Sequence, residues 1–132
     1  MHLTIDGYGD NPRLMQDEQF IYQLLDSYPA RIDMTKIAAP HVFKYIGSKP
    51  EDWGISGFVF IAESHISVHT FVERNYVNID VFSCKDFDTE KAIEHFRDKF
   101  QLIKSRICLI ERGWPQDKPS TVDSVNFVYH GR

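Results

Sequence analysis

The sequence predicts an α+β fold with two helices packed on one face of a largely antiparallel β-sheet. Six stretches concentrate or alternate apolar residues as strands do, and two stretches carry apolar residues at helical spacing. The elements follow the order β-α-β-β-β-β-α-β, which is typical of helices that cover one side of a sheet. A chain of 132 residues, of which 42% are hydrophobic, suffices for one domain with one core.

The first half of the chain predicts a strand, a helix and a second strand. Residues 3–8 alternate apolar and polar side chains. Residues 13–27 place apolar side chains four positions apart, and Pro29 is expected to stop this helix. Residues 41–45 favour a strand, and the polar residues 47–52 predict a loop.

Residues 55–72 are the most informative stretch. Their residue types are those of strands, but the stretch is about three times the usual strand length, so it should fold back on itself. The polar pair Glu63-Ser64 is the expected bend, although no Gly, Pro or Asn occupies it. Such a local conflict is typical of functional or strained sites.

The second half of the chain extends the sheet and adds a helix. Residues 73–75 predict a polar turn, residues 76–84 a strand and residues 88–100 a helix. Residues 104–110 predict another strand, and residues 122–129 a last strand or an extended tail.

Charge and composition exclude several classes of function. The formal charge of -4 comes from 15 basic and 19 acidic residues mixed along the chain, which argues against a nucleic-acid partner. No apolar run reaches the roughly 18 residues of a membrane-spanning helix, and the N-terminus does not resemble a signal peptide. We therefore expect a soluble, cytoplasmic protein with no membrane partner.

The two cysteines are too few for a disulfide framework and are expected to be free thiols. Cys108 lies in an apolar run and is interpreted as a core residue. Cys84 ends a strand, where a core role and a functional role are about equally compatible with its neighbours. If the preceding turn is centred on Arg74, Ser64 lies opposite Cys84, about 5 Å away, unless the register slips by one residue.

His65, Ser67 and His69 share one face of a strand because side chains alternate along it. His65 and His69 would then lie about 13 Å apart, too far to bind one metal ion, so no metal site is predicted. Both residues remain open to an interpretation as ordinary sheet histidines.

The segment from residue 54 to residue 84 resembles the bacterial and archaeal S-adenosylmethionine decarboxylases. The order and spacing of Ser56, Glu63-Ser64, His69 and Cys84 match the pattern of that family. The matching residues are Gly54-Ile55-Ser56-Gly57, Ile61-Ala62-Glu63-Ser64-His65-Ile66-Ser67-Val68-His69-Thr70 and Asp80-Val81-Phe82-Ser83-Cys84. The resemblance implies the decarboxylase-like α+β sandwich of that family.

The resemblance also implies a self-processing enzyme whose cofactor, a covalent pyruvoyl group, is made from Ser64. The Ser64 hydroxyl would attack the Glu63 carbonyl, with a supporting hydrogen bond from Ser56, and an ester would form. His69 would remove the α-proton of residue 64, so that β-elimination frees the Glu63 carboxylate. Loss of ammonia would leave the pyruvoyl group.

Processing of this kind would divide the single domain, residues 1–132, into a β chain of residues 1–63 and an α chain of residues 64–132. In turnover, the substrate amine would form a Schiff base with the pyruvoyl ketone, which accepts the electrons left by departing CO2. Cys84 matches the family residue that returns a proton to the α-carbon.

The resemblance further implies a small-molecule substrate and the residues that bind it. Glu73 matches a glutamate that holds ribose hydroxyls, and Phe71 and Phe43 are candidates to stack on adenine. The chain departs from the family pattern because Phe71 stands where tryptophan is usual. The link after Phe43 is also longer, so Tyr45 or Trp53 could take its place.

Family members form homodimers of αβ units with site residues from both protomers, and the resemblance implies the same for this chain. It also implies a product that donates aminopropyl groups in spermidine and polyamine biosynthesis. Two alternatives stay open. One is the same pyruvoyl chemistry acting on arginine or ornithine, and the other is an unprocessed, non-catalytic paralogue.

Overall fold

The structure is a computed structural model that describes residues 1–113. The strands are β1 (His2–Gly9), β2 (His41–Tyr45), β3 (Gly54–Ile61), β4 (Ser64–Phe71), β5 (Tyr76–Ser83) and β6 (Leu102–Ile110), and the helices are α1 (Pro12–Met15), α2 (Glu18–Arg31) and α3 (Thr89–Phe100). Short 3-10 turns, Pro50–Asp52 and Val72–Arg74, precede β3 and β5. The strand or tail expected over residues 122–129 lies outside the described residues. No helix in the described part combines the length and apolar character needed to cross a membrane.

The six strands form one sheet in the order β2-β3-β4-β5-β1-β6, and each neighbouring pair is antiparallel. The first strand of the chain thus lies between β5 and β6, the two strands that flank α3 in sequence. The expected α+β class and the antiparallel sheet are confirmed, and the six strands and two longer helices follow one another in the expected order.

Alternate residues of each strand face the helices and build one hydrophobic core. Leu3 and Ile5 of β1 are fully buried, as are Ile66 and Val68 of β4. Both longer helices bury an apolar side against this face of the sheet, with the residues Ile21, Leu24, Leu25 and Tyr28 of α2 and Ala92, Ile93, Phe96 and Phe100 of α3. Removal of this apolar surface from water is the main force that holds the layers together.

We call the opposite side of the sheet the open face. It carries the other set of alternating strand residues, which are half-buried or exposed: Phe43 and Tyr45 of β2, Ser56, Phe58 and Phe60 of β3, His65, Ser67, His69 and Phe71 of β4, and Tyr76, Asn78, Asp80 and Phe82 of β5. Polar and aromatic side chains therefore lie together on the side of the sheet that the two longer helices leave uncovered.

The helix predicted over residues 13–27 is in fact two helices. α1 ends at Met15, and Asp17 then starts α2, because its carboxylate accepts a hydrogen bond from the Phe20 N–H at 3.0 Å. The apolar spacing is that of α2, whereas α1 is a separate turn capped by Asn11.

Pro29 does not stop α2, contrary to the prediction. The residue lies in the last turn, and the helix continues to Arg31. Proline removes one intrahelical hydrogen bond, but the Pro29 ring is buried and its carbonyl accepts hydrogen bonds from the N–H groups of Ile32 and Met34. Pro29 thus helps to end the helix from inside its last turn.

The prediction that Ser64 lies opposite Cys84 is wrong, since Ser64 pairs with Ser83. The turn before β5 explains the shift. It spans residues 72–75 and ends on Asn75 in the left-handed conformation, with φ 49°, so it is longer than the three residues expected. A change of one residue in the turn moves every pair along the two strands.

Gly54 starts β3 at a point where β4 passes very close. A Cβ atom on residue 54 would lie 1.8 Å from the Thr70 carbonyl oxygen, so glycine is required. The Thr70 hydroxyl accepts a hydrogen bond from the Ile55 N–H at 2.9 Å and donates one to the Met15 carbonyl at 2.6 Å. This close contact fixes the backbone on both sides of Gly54.

A stacked pair of rings, the buried Tyr28 and the half-buried His95, joins α2 and α3. The Tyr28 and His95 rings stack with centroids 4.7 Å apart. Among the described residues, neither the Tyr28 hydroxyl nor His95 Nε2 has a hydrogen-bond partner. Burial lowers the pKa of His95 below its ordinary value of 6.5, and the positive charges of Arg31 and Lys99 add to this shift, while Asp98 opposes it.

We expect the protein to lose stability as the pH falls below 6.5, because the folded state favours the neutral form of His95. The pKa of His95 is lower in the folded chain than in the unfolded chain. The stability is therefore present above pH 6.5 and is lost below it, down to the folded-state pKa. His95→Phe keeps a ring against Tyr28 and removes the titration. Urea unfolding midpoints at about pH 7.5 and about pH 5 should fall less in this variant, and equal falls would contradict the expectation.

Candidate active site

Glu63 and Ser64 lie where the chain turns from β3 into β4, at the bend that the sequence predicts. The segment after α2 crosses this turn. The Thr35 carbonyl accepts a hydrogen bond from the Ala62 N–H at 2.8 Å, and the Thr35 N–H donates to Glu63 Oε1 at 2.9 Å. Both the backbone and the Glu63 side chain are therefore held in place by Thr35.

A hydrogen-bond donor is directed at the Glu63 carbonyl. The Cys84 N–H donates to this oxygen at 2.8 Å. Ser64 follows with a φ of 157°, which residues with side chains rarely adopt and which raises the local conformational energy by about 1–3 kcal/mol. A polarised carbonyl before a strained serine favours attack of the hydroxyl on that carbonyl.

Cys84 contacts this turn through its backbone N–H. Contrary to the sequence prediction, it does not pair with Ser64 across the strands. Its side chain is an exposed free thiol. The buried Ser83 shapes the chain around it, because Ser83 Oγ accepts a hydrogen bond from the Lys85 N–H at 2.9 Å and donates to the Lys85 carbonyl at 2.7 Å. Sequence reasoning missed Ser83, although the alternation along β5 already places it on the buried face with Val81.

Ser56 and His69 form a hydrogen-bonded pair of side chains on the open face. They are direct cross-strand partners of β3 and β4. A hydrogen bond of 2.9 Å joins Ser56 Oγ to His69 Nδ1, and the imidazole is exposed. An imidazole held at Nδ1 can present Nε2 as a proton acceptor.

Ser64 and the Ser56–His69 pair lie far apart within one chain. Ser64 begins β4 and His69 lies further along the same strand, about 16 Å away at the usual rise per residue. His69 therefore cannot reach the α-carbon of residue 64 in its own chain. The expected site residues fall into a turn group, with Glu63, Ser64 and Cys84, and a cavity group around Ser56 and His69.

The Ser56–His69 pair opens into a cavity of about 530 Å³. The lining residues are Tyr45, Glu51, Asp52, Trp53, Gly54, Ser56, His69, Thr70, Phe71 and Arg74. Aromatic walls with a few polar groups and this volume are typical of a site for a small organic molecule.

Glu73 lies beside this cavity and is held there by Trp53. The indole Nε1–H donates to Glu73 Oε1 at 2.8 Å. The Trp53 carbonyl also accepts a hydrogen bond from the Val72 N–H at 3.3 Å. Sequence reasoning named Trp53 only as an alternative ring to Phe43 and missed this contact, because no local pattern links residues so far apart in sequence.

Of the two stacking candidates, Phe71 lines the cavity and Phe43 does not. The guanidinium of Arg74 lies over the Phe71 ring, 4.7 Å from its centroid. Phe43 lines a separate cavity of about 350 Å³ beside α2, and Tyr45 is the ring of β2 that reaches the first cavity.

A serine that follows a hydrogen-bonded carbonyl at a strained turn, together with an imidazole beside a cavity, is typical of an α+β enzyme rather than of a binding module. Residues 1–113 match the family model described as S-adenosylmethionine decarboxylase. The chain belongs to the S-adenosylmethionine decarboxylase family.

Several relatives named S-adenosylmethionine decarboxylase proenzyme are similar to this chain over most of their length. The protein of Pyrococcus abyssi is 32% identical over 117 residues, which are 88% of this chain and 80% of that protein. The Archaeoglobus fulgidus protein is 32% identical, with 85% and 96% covered, and the Clostridium botulinum (strain Langeland) protein is 35% identical, with 85% and 92% covered. The crystal structure of the adenosylmethionine decarboxylase from Aquifex aeolicus has a TM-score of 0.74 and 24% identity, covers 91% of this chain and 95% of its own, and shows the same fold.

Proposed function

We propose that this chain is a proenzyme that cleaves itself between Glu63 and Ser64 and then decarboxylates S-adenosylmethionine. The observation that carries the proposal is the hydrogen bond from the Cys84 N–H to the Glu63 carbonyl. It holds the backbone of Cys84, whose thiol we expect to donate a proton in turnover, against the carbonyl that we expect the Ser64 hydroxyl to attack. Membership of the family supports the choice of substrate.

The turn group performs the first step of processing in this proposal. The Cys84 N–H stabilises the negative charge that develops on the Glu63 oxygen when the Ser64 hydroxyl attacks. The unusual φ of Ser64 is relieved as the peptide rearranges to an ester. β-Elimination of this ester frees the Glu63 carboxylate, and water then hydrolyses the dehydroalanine at residue 64 with release of ammonia. The resulting chains are residues 1–63 and residues 64–132, with a pyruvoyl group in place of Ser64.

The base for processing comes from a second copy of the chain. Ser56 and His69 are too far along the sheet to act on residue 64 of their own protomer. The open face carries large exposed rings, with Phe60 50% exposed and Phe43 60% exposed, and such apolar area favours a partner. In a homodimer of uncut chains packed through this face, His69 of one protomer accepts the α-proton at residue 64 of the other, and Ser56 supports the attacked oxygen. Processing then gives a homodimer of αβ units.

The residues at the turn also serve turnover. The pyruvoyl group supplies a ketone that takes up the substrate amine and accepts the electrons left when CO2 departs. The chain's own contribution is a proton, which we assign to the Cys84 thiol. Its backbone contact with Glu63 keeps Cys84 at the turn.

The cavity group binds the nucleoside part of the substrate. Glu73 accepts hydrogen bonds from the ribose hydroxyls, and Phe71 and Tyr45 offer rings to the adenine. The carboxylates of Glu51 and Asp52 line the same cavity and favour a substrate that carries a positive charge, as a sulfonium does. The product would then donate aminopropyl groups in cytoplasmic spermidine synthesis, with neither nucleic acid nor membrane as a partner.

The processed protein is expected to release CO2 from S-adenosylmethionine and not from arginine or ornithine, because the cavity offers aromatic and carboxylate groups suited to a nucleoside. Labelled CO2 released from the three substrates at equal concentration measures this. Glu73→Gln should lower kcat/KM for S-adenosylmethionine roughly tenfold or more. Release from arginine or ornithine instead would identify the same chemistry on a free amino acid, and processed protein that releases no CO2 would remove the decarboxylase proposal.

A further inference from the structure

Trp53 is held in a defined position at the end of the loop over residues 47–53. Its carbonyl is hydrogen-bonded to the Val72 N–H at 3.3 Å, and the next residue, Gly54, is pressed against the backbone of β4. The Lys44 ammonium lies 5.1 Å from the centroid of its ring, which is a favourable cation–π distance. The Trp53 side chain therefore has a fixed place in the cavity wall.

The Glu73 carboxylate depends on this indole for its position. Within residues 1–113, the Trp53 N–H is the hydrogen-bond donor that the structure gives to Glu73, and the glutamate side chain is otherwise exposed. An exposed glutamate without a partner samples several rotamers, and a ligand that needs one of them must order it on binding. The bond to Oε1 leaves the lone pairs of Oε2 for hydroxyl donors from a ligand.

We propose that Trp53 is a positioning residue that holds Glu73 ready for the vicinal hydroxyls of a ribose, and that it thereby favours a nucleoside substrate over a free amino acid. This inference rests on the proposed role of Glu73. Trp53 stands directly before the matched segment, which begins at Gly54, so the contact is not part of the matched motif.

The test compares two non-reacting ligands on the processed protein. 5′-methylthioadenosine carries both ribose hydroxyls, and its 2′,3′-dideoxy analogue carries neither. Trp53→Phe keeps an aromatic ring and removes the N–H. Calorimetric titration should show about threefold to tenfold weaker binding of methylthioadenosine to the variant and unchanged binding of the dideoxy analogue.

Two controls separate positioning from a general structural effect. In a Glu73→Ala background, Trp53→Phe should cause no further loss, because the partner is already absent. Phe71→Leu should weaken both ligands equally, since it alters the wall and not the hydroxyl contact. With S-adenosylmethionine as substrate, Trp53→Phe should raise KM by the same factor and leave kcat within about twofold.

Equal losses for both ligands, or none for either, would overturn the role of Trp53. If Trp53→Phe does not fold, benzothienylalanine at position 53, in a chain with Trp114→Phe, replaces only the N–H by sulfur and gives the same comparison. A wild-type protein that is uncut or releases no CO2 from S-adenosylmethionine would count against the proposed function instead. The two failures are thus distinguishable.

Discussion

Ser64→Ala is expected to leave one uncut chain of 15.4 kDa where the wild-type protein yields two chains. The variant has no hydroxyl to attack the Glu63 carbonyl, although the hydrogen bond from the Cys84 N–H is made by the backbone and persists. Cleavage should be lost entirely, and release of CO2 with it, because no pyruvoyl group forms. An intact-mass spectrum under denaturing conditions measures both species.

Ser67→Ala is the matched control for this substitution. Ser67 lies on the same strand, and its hydroxyl contacts the Asp80 carboxylate on the open face. It should process as the wild type does. In the wild type, the chain that starts at residue 64 should be lighter than its serine-started mass by the difference between serine and pyruvoyl. A cut before residue 64 in Ser64→Ala, or an uncut wild type, would disprove self-processing through this hydroxyl.

The second large effect is expected from two inactive variants combined. His69→Ala alone should remain uncut, since no imidazole then reaches residue 64 from either protomer. When it is produced together with Ser64→Ala, the His69→Ala chain should be cleaved, because it keeps Ser64 and receives His69 from its partner. With random pairing, about half of the His69→Ala chains would be cut, and the Ser64→Ala chains would stay whole.

This complementation follows directly from the separation of about 16 Å along β4. Mass spectrometry distinguishes the two variants, so the identity of the cut chain can be read from one spectrum. A mixture of the same two variants folded separately and kept as preformed dimers is the control. If co-production gives no cleavage, or if His69→Ala cleaves itself as fast as the wild type, His69 is not a base supplied by a second copy.

The strands and the bend could be predicted from sequence because they depend on local patterns. The alternation along residues 76–84 and the excess length of residues 55–72 each show a physical requirement that lies within the stretch itself. The register of β4 against β5 could not be predicted in the same way. It depends on the conformation of Asn75, and nothing in the sequence alone required the longer turn.

The end of α2 was predicted too early for a related reason. Pro29 removes one intrahelical hydrogen bond, but its ring is buried and its carbonyl accepts hydrogen bonds from residues that follow the helix. The contact of Trp53 with Glu73 and that of Thr35 with Glu63 join segments separated in sequence. Such contacts become visible only when the order of strands in the sheet is known.

The position of β1 has a consequence for the protein if it is cut as proposed. Residues 1–63 contain β1, β2 and β3, and residues 64–113 contain β4, β5 and β6, so the strands from the two products are interleaved across the sheet. β3 is hydrogen-bonded to β4, and β1 is inserted between β5 and β6. The two fragments can dissociate only if the backbone hydrogen bonds of three strand pairs, β3–β4, β1–β5 and β1–β6, are broken. A chain cut at this position is therefore expected to unfold as a single unit, like a protein reconstituted from complementary fragments.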